Sequence, residues 1–372
     1  MEIVALIVLS IGAVLSLKSR SAGIVACIIS AMLTFSTNPF LALITVIAIL
    51  NLASLTLLKW KSHLTLPILM LIATLHAFQS NDLAVLIVCF IAGSVPTYAL
   101  ILLSEDDVKP DTAVKYITFM VLATVLFIFG LINLNTVIGK ILFLIGLALE
   151  VGIAPLHIWV PDVFEEGDPV TVAVIASLAK FIPFLIAFRV LSLDEITFAF
   201  IFALSVLSML VGNVGALTSN KPQRILAYST IANMGYVTSA LTTLNPLGFA
   251  GAFIQLLANS AGKIGFFTAL KDGANKVQTY LLAFSMIGVP PLLGFWGKFF
   301  ILTSLIKSNL LILAVILVIN SVISVPYYVR LAGMYERGRS LIVSAVVTAC
   351  VLISLIIYPT PIYEGVIACW MR

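Results

Sequence analysis

Apolar runs of about 17 to 25 residues, separated by short polar breaks, follow one another along almost the whole chain, and each is long enough to cross about 30 Å of hydrocarbon as a helix. Transmembrane strands would be shorter and would alternate polar with apolar positions; these runs do not. Cutting the chain at its breaks predicts an all-α, polytopic membrane protein of about fourteen helices. Their centres lie near Leu9, Ile28, Val46, Leu71, Cys89, Leu122, Leu147, Lys180, Leu207, Ile231, Leu257, Ile287, Val318 and Val347. The first run lacks a basic leading segment and a small-residue cleavage site, so it reads as a helix and not as a removable signal.

Composition agrees. Of 372 residues, 62% are hydrophobic and 10% charged, against roughly 25% charged in soluble domains, and the mean hydropathy is +1.19. Loops rich in Lys and Arg stay on the cytoplasmic side. With the N-terminus outside, the cytoplasmic loops carry Lys18, Arg20, Lys59, Lys61, Lys109, Lys221, Arg224, Lys271, Lys276, Arg337 and Arg339, and the opposite face keeps little beyond Lys140, Lys307 and Arg372. Both termini are then expected on the outer side of a cell membrane.

The loops are too short for a domain that holds a nucleotide, a flavin or an iron-sulfur cluster, and neither GxGxxG nor GxxxxGK[ST] occurs. No catalytic group, cofactor or metal is expected on this chain, so any redox chemistry belongs to partners. Cys27, Cys89, Cys350 and Cys369 stand singly, with no CxxC, and are expected as small buried hydrophobes. No basic stripe interleaves with exposed aromatics, which leaves no reason to expect a nucleic-acid partner.

Against the apolar background five ionisable residues fall inside runs: Lys115, Glu150, Lys180, Lys263 and Lys298. Each costs about 3 kcal/mol or more at bilayer depth, so they are expected to line a pathway or to pair with one another. A second irregularity occurs twice, as Gly152-Ile153-Ala154-Pro155-Leu156 followed by Trp159, and as Gly288-Val289-Pro290-Pro291-Leu292 followed by Trp296. Glycine and proline disturb the backbone hydrogen bonds of a span, which is tolerated only where protein or a water-filled cavity covers the break. A kink for packing is the bland alternative for either one. Paired interruptions point to a transporter built from repeats, inverted here because the breaks fall in the seventh and twelfth helices.

Three segments carry a resemblance: "LEVGIAPLHIWVPDVFEEGDPV", "GNVGALTSNKPQRILAYSTIANMGYV" and "IGVPPLLGFWGKFFILTSLIKSNLLILAVILVINSVISVPYYVRL". From about Thr65 to Arg330 the chain resembles the antiporter-like membrane subunits of respiratory complex I, closest to its subunit N. The resemblance implies fourteen helices with two inverted five-helix repeats, and domains at 1–62, 63–192, 193–334 and 335–372. It also implies proton transfer along a mid-membrane axis of lysines, driven by quinone reduction in neighbouring subunits. Those partners would include further antiporter-like subunits and a quinone-site module within the lipid bilayer. On the family's motifs, Lys115 in "TAVKYI", Lys180 in "ASLAK" and Lys298 in "GFWGK" match its lysines. Lys263 in "NSAGKIGFF" matches the eleventh-helix lysine of its other antiporter-like members.

Three positions depart from the pattern. Ile91 stands where the family has a glutamate five residues before the proline of SxPxY, Glu150 stands where it has a lysine, and Asn233 replaces a histidine before xGY. A buried lysine and a buried glutamate can exchange protons near neutral pH, whereas contact between them holds both ionised. Glu150 is therefore expected to pair with Lys115 or Lys180, and Lys263 to pass protons towards Lys298. His157, in "PLHIW", could relay protons or serve structure. His63 and His76 read as anchors at span ends. Arg330 and Arg189 are expected to snorkel to opposite surfaces. The acidic run Asp162, Glu165, Glu166 and Asp168 reads first as a solvated loop and alternatively as a proton-gathering mouth; Asp82, Glu105, Asp106 and Asp107 read as loop charges. The leading function is proton translocation as a subunit of a complex I-like quinone oxidoreductase. The alternatives are a subunit of a sodium/proton antiporter, for which Glu150 supplies an oxygen ligand, and a structural subunit with an inactive channel.

Overall fold

The computed structural model describes residues 2–57, 64–102, 110–335, 338–356 and 361–371. Lys59, Lys61, His63, Glu105, Asp106, Asp107, Lys109, Arg337 and Arg372 lie outside the described residues. Among the described residues there are eighteen α-helices, one short 3-10 turn and no strand except an isolated bridge residue at Ala274. Three helices lead the chain: α1 (Glu2–Ser16), α2 (Arg20–Phe35) and α3 (Pro39–Leu55). Next come α4 (Thr65–Gln79), α5 (Leu83–Leu102), α6 (Pro110–Ile132), α7 (Val137–Val151), α8 (Trp159–Glu166), α9 (Pro169–Ser177) and α10 (Phe181–Val190). A third group holds α11 (Glu195–Thr218), α12 (Pro222–Leu241), α13 (Pro246–Asp272), α14 (Lys276–Ile287), α15 (Leu293–Lys307) and α16 (Leu311–Gly333). The chain closes with α17 (Leu341–Ile356) and α18 (Pro361–Met371).

Local chemistry starts many of these helices. Asn38, Asp168 and Asn245 accept hydrogen bonds from N–H groups of the first turns of α3, α9 and α13, and each is followed by a proline. The capping oxygen satisfies an orphan donor, and proline at the first helical position has none to lose.

Among the described residues, five spans are long and apolar enough to cross a membrane by length and composition: Leu83–Leu102, Pro110–Ile132, Pro169–Val190, Glu195–Thr218 and Leu311–Gly333. The third joins α9 to α10 through the 3-10 turn Leu178–Lys180. It is 94% buried within the bundle, whereas Pro110–Ile132 is 33% buried, which makes the first a central pillar and the second a rim helix. A second pillar is α13, buried without interruption from Gly248 to Ala269.

Rim helices turn apolar stripes outward, such as Ile312, Val315, Ile319 and Val322 on α16. Helices surrounded by lipid gain little from burying apolar area against each other and depend on close packing. Glycines permit it here. A Cβ at Gly212 would lie 2.3 Å from the Ala232 nitrogen, and one at Gly297 2.7 Å from Gln255 Cα, so α11 approaches α12, and α15 approaches α13, at backbone distance.

The sequence pattern predicts one helix in 335–372, and the structure has two. α18 lies against α3, α10 and α13: Asn38 donates to Gly365 O at 3.0 Å, and the Trp370 ring packs on Phe188 and Phe249 at 6.3 and 5.3 Å. Its 11 residues are too few to span hydrocarbon, so it gives no hydropathy signal of its own. All four cysteines are buried, as their isolation predicts.

Candidate functional site

The two predicted breaks have one geometry. α7 ends at Val151 and α14 at Ile287; each is followed by a glycine with positive φ, Gly152 at 80° and Gly288 at 93°. The next N–H folds back in both places, Ile153 to Ala148 O at 2.8 Å and Val289 to Phe284 O at 3.0 Å. This left-handed turn is the conformation that glycine supplies at helix ends. Pro155, Pro290 and Pro291 lie in the turns that lead to α8 and α15, closed by Leu156 N–H to Ile153 O and Leu292 N–H to Val289 O, both at 2.9 Å. The tryptophans differ: Trp159 Nε1 returns to Leu149 O at 2.8 Å, and Trp296 Nε1 reaches Ser354 O of α17 at 3.2 Å.

A lysine sits on the carbonyl end of each interrupted helix. Lys180, in the 3-10 turn, donates to Val151 O at 2.7 Å. Lys298, on α15, donates to Ile287 O at 2.8 Å, Met286 O at 3.2 Å and the Ser321 hydroxyl of α16 at 3.1 Å. Carbonyls at a helix C-terminus carry partial negative charge and favour a cation. Lys263, midway along α13, donates to Leu226 O at 2.6 Å and to the Ser229 hydroxyl, both on α12. All three lysines are buried.

Glu150 is also buried, in the last turn of α7. Its Oε1 accepts from Ser94 of α5 at 2.5 Å, Oε2 has no hydrogen-bond partner among the described residues, and the group lies in the field of Lys180. Lys115 is not its partner. Lys115 lies in the second turn of α6 and donates to Asp162 of α8, with the two side chains 37% and 38% exposed. It belongs to the rim of the bundle and not to its buried interior. Lys180 in turn uses a carbonyl where a carboxylate was expected. His157 is half-buried between the first break and α8, with its ring 6.4 Å from that of Tyr228 and no partner for Nδ1 among the described residues.

The acidic run is not a solvated loop. Asp162, Glu165 and Glu166 lie on α8, and Asp168 caps α9. Asp162 meets Lys115, Glu166 accepts from Thr112 of α6, and Glu165 accepts from Lys221 at 2.6 Å and Arg224 at 2.7 Å at the start of α12. Asp168, fully buried, meets Lys271 of α13. Four carboxylates thus tie one short helix and its exit to three others. On the opposite face Asp194 caps α11 and meets Lys140 at 2.7 Å. That hydrogen bond, with those from Thr197, holds the Asp194 carboxyl well below the usual aspartate range.

Arg189 and Arg330 also have partners. Arg189 donates to Ala77 O and Phe78 O at 2.7 and 3.0 Å and to Ser80 O, at the end of α4. Arg330 donates to Ala216 O, Leu217 O and Ser219 O at 2.9, 3.0 and 2.8 Å, at the end of α11. Each guanidinium closes a helix end at the surface of the bundle, Arg330 exposed there and Arg189 partly so.

Sequence reasoning missed the neutral polar residues between the lysines. From Ser229, which holds Lys263, Asn233 lies one turn further along α12 and donates to Ser229 O at 2.7 Å. Gln255 of α13 donates to Asn233 Oδ1 at 2.6 Å and lies against Gly297, the neighbour of Lys298. The Tyr236 ring lies 4.8 Å from Lys298 Nζ. Gln255 Oε1, the Asn259 amide and the Tyr236 hydroxyl are buried without a partner among the described residues; buried polar atoms in this state are ordinarily served by water. Their signal was available as polar residues spaced at 229, 233 and 236 on one helix face.

Residues 130–277 and 275–324 match the family described as NADH:quinone oxidoreductase/Mrp antiporter, transmembrane. The chain belongs to this family. NADH-quinone oxidoreductase subunit N of Rickettsia felis is 30% identical over 73% of this chain and 71% of its own. The F(420)H(2) dehydrogenase subunit N of Methanosarcina mazei is 27% identical over 68% of this chain and 63% of its own. A chain of respiratory complex I from Thermus thermophilus has the same fold, with a TM-score of 0.81 and 23% identity over 95% of this chain and 96% of its own. Membership and the apolar spans make this a multi-pass membrane protein of the complex I antiporter-like group.

Proposed function

We propose that this chain is a proton-conducting membrane subunit of a complex I-like quinone oxidoreductase. In this reading Glu150, Lys180, Lys263 and Lys298 carry the protons, His157 serves the first break, and Lys115 acts at the rim. The observation that carries it is the buried polar stripe from Lys263 through Ser229, Asn233 and Gln255 towards Lys298. Charged and polar groups at membrane depth mark ion and proton pathways.

The same reading takes 63–192 and 193–334 as inverted five-helix units within fourteen spans, with 1–62 and 335–372 flanking them and both termini outside the cell membrane. Support comes from the matched breaks and from Arg189 and Arg330, each on the last helix of its unit and each holding the end of the first. Redox cofactors, the quinone site and further antiporter-like subunits belong to partners, and the relatives named above are subunits of such dehydrogenases.

The test is proton pumping by the assembled complex in proteoliposomes, beginning with the polypeptides that co-purify with this chain. Lys180→Met and Lys298→Met are each expected to remove most pumping while the complex still assembles. Normal pumping and normal redox turnover in both variants would rule the reading out.

Sodium/proton antiport is a second reading, favoured by the buried Glu150 Oε2, which has no hydrogen-bond partner among the described residues, because hard cations take oxygen ligands. Transport that stops when choline replaces sodium would select it.

A further inference from the structure

Lys263 and Lys298 sit in the same three-membered contact. Lys263 donates to Leu226 O and to the Ser229 hydroxyl, and Ser229 donates to that same Leu226 O at 2.9 Å. Lys298 donates to Ile287 O and to the Ser321 hydroxyl, and Ser321 donates to that same Ile287 O at 3.3 Å. The construction differs in origin. Ser229 and Leu226 are three apart on one helix, whereas Ser321 comes from α16 and Ile287 from the end of α14. Two unrelated local geometries have arrived at one triangle of amine, hydroxyl and carbonyl.

The position of Ser321 is informative too. Nine residues before Arg330 stands Ser321, and nine before Arg189 stands Lys180. Lys180 reaches the last carbonyl before Gly152, and Ser321 reaches the last carbonyl before Gly288. A hydroxyl therefore occupies, in the second half, the place that an ammonium holds in the first.

A lysine that carries protons must be housed in two states. As an ammonium it has three donors and no acceptor; as an amine it has two donors and a lone pair. Carbonyl oxygens accept from the N–H groups of either state, but they cannot donate, so they leave the lone pair of the amine unmet. Among the described residues Lys298 has three hydrogen-bond partners, Met286 O, Ile287 O and Ser321, and of these only the serine can rotate its hydrogen towards the lone pair. Of the two partners of Lys263 among the described residues, only Ser229 can. The serine keeps its own proton throughout; the proton that leaves the ammonium goes to the next group or water on the path.

We propose that Ser229 and Ser321 are the positioning residues that accept from Lys263 and Lys298 as ammoniums and donate to their lone pairs as amines. This rests on the reading of those lysines as proton carriers. The experiment compares Ser321→Thr with Ser321→Val, and Ser229→Thr with Ser229→Val, in the assembled complex in proteoliposomes, with Lys298→Met as the control. Threonine and valine have nearly the same shape, and only threonine keeps the hydroxyl. A hydrogen bond to a charged group is worth about tenfold or more in an equilibrium. The valine variants are expected to pump about tenfold more slowly, and the threonine variants to stay within about twofold of the parent. With Lys298→Met inactive, equal pumping by the valine and threonine members of each pair overturns the assignment of the serines. Normal pumping by Lys298→Met overturns the underlying path instead.

Discussion

Lys180 Nζ lies 2.7 Å from the backbone oxygen of Val151, the last carbonyl of α7 before the chain turns at Gly152. The contact joins a buried positive charge to a helix end that has no intrahelical donor left to meet it. Loss of the charge changes both the path and the closure of the helix. Lys180→Arg separates the two roles, because an arginine caps a carbonyl but stays protonated. Lys180→Arg is expected to assemble like the parent and to lose at least tenfold in pumping; parental pumping would show that Lys180 need not release its proton.

Gly152→Ala tests the first break. The residue is at φ 80°, and an added Cβ would lie 2.5 Å from Val160 Cγ2, so the substitution combines backbone strain of about 1–2 kcal/mol with a clash. At Gly288 the nearest atom to a Cβ is Lys298 Cδ at 3.3 Å, which a flexible side chain can relieve. Thermal unfolding of the purified complex is expected to show a larger loss for Gly152→Ala than for Gly288→Ala. Gly288→Ala is expected to act mainly on pumping, through Lys298.

Arg330→Gln removes the group that closes α11. Bonds from a charged donor contribute about 1.5–3 kcal/mol each when a partner is left buried, and less where water can reach. The expected result is a stability loss of about 1–3 kcal/mol, with faster backbone hydrogen exchange near 216–219. Unchanged exchange there would show that solvent already serves those carbonyls.

Asp194 gives a prediction in pH. Its carboxyl is held low by Lys140 and Thr197, so its contribution to stability is present above the ordinary aspartate value of about 3.9. That contribution is lost only as pH falls towards the lowered value. Asp194→Asn is therefore expected to lower the unfolding temperature equally at pH 5 and pH 8. A loss seen at pH 8 alone would mean that the carboxylate is already protonated at pH 5.

Glu150→Gln keeps the Ser94 contact possible and removes the charge. Pumping is expected to fall at least tenfold without any change in sodium dependence. Full pumping would leave Glu150 a packing role.

How much is legible in the sequence follows the range of each interaction. Gly152 and Gly288 announce their turns by local chemistry alone, because a glycine with a proline two or three residues on breaks the helical pattern of an apolar run. The buried lysines stand out against the apolar residues on either side of them. The acidic run is misleading because its partners are remote: Lys221 is 56 residues from Glu165, and Lys271 is 103 from Asp168. Four carboxylates close together in sequence look solvated until the fold brings cations to them. Lys115 looks deeper than it is, since a position inside an apolar run does not reveal how near the surface its helix begins. Ser321 gives no signal, because a serine in a membrane helix costs little and most often bonds to its own backbone.

The carboxylates of α8 have a mechanical consequence. Because Glu165 holds α12 while Asp162 and Glu166 hold α6, α8 cannot swing about Gly152 without breaking polar contacts on helices from both halves of the chain. Glu165 thereby links the first break to α12, the helix whose next two turns carry Ser229 and Asn233. The two halves therefore share one polar surface at α8, and a movement of the first break alters contacts in both.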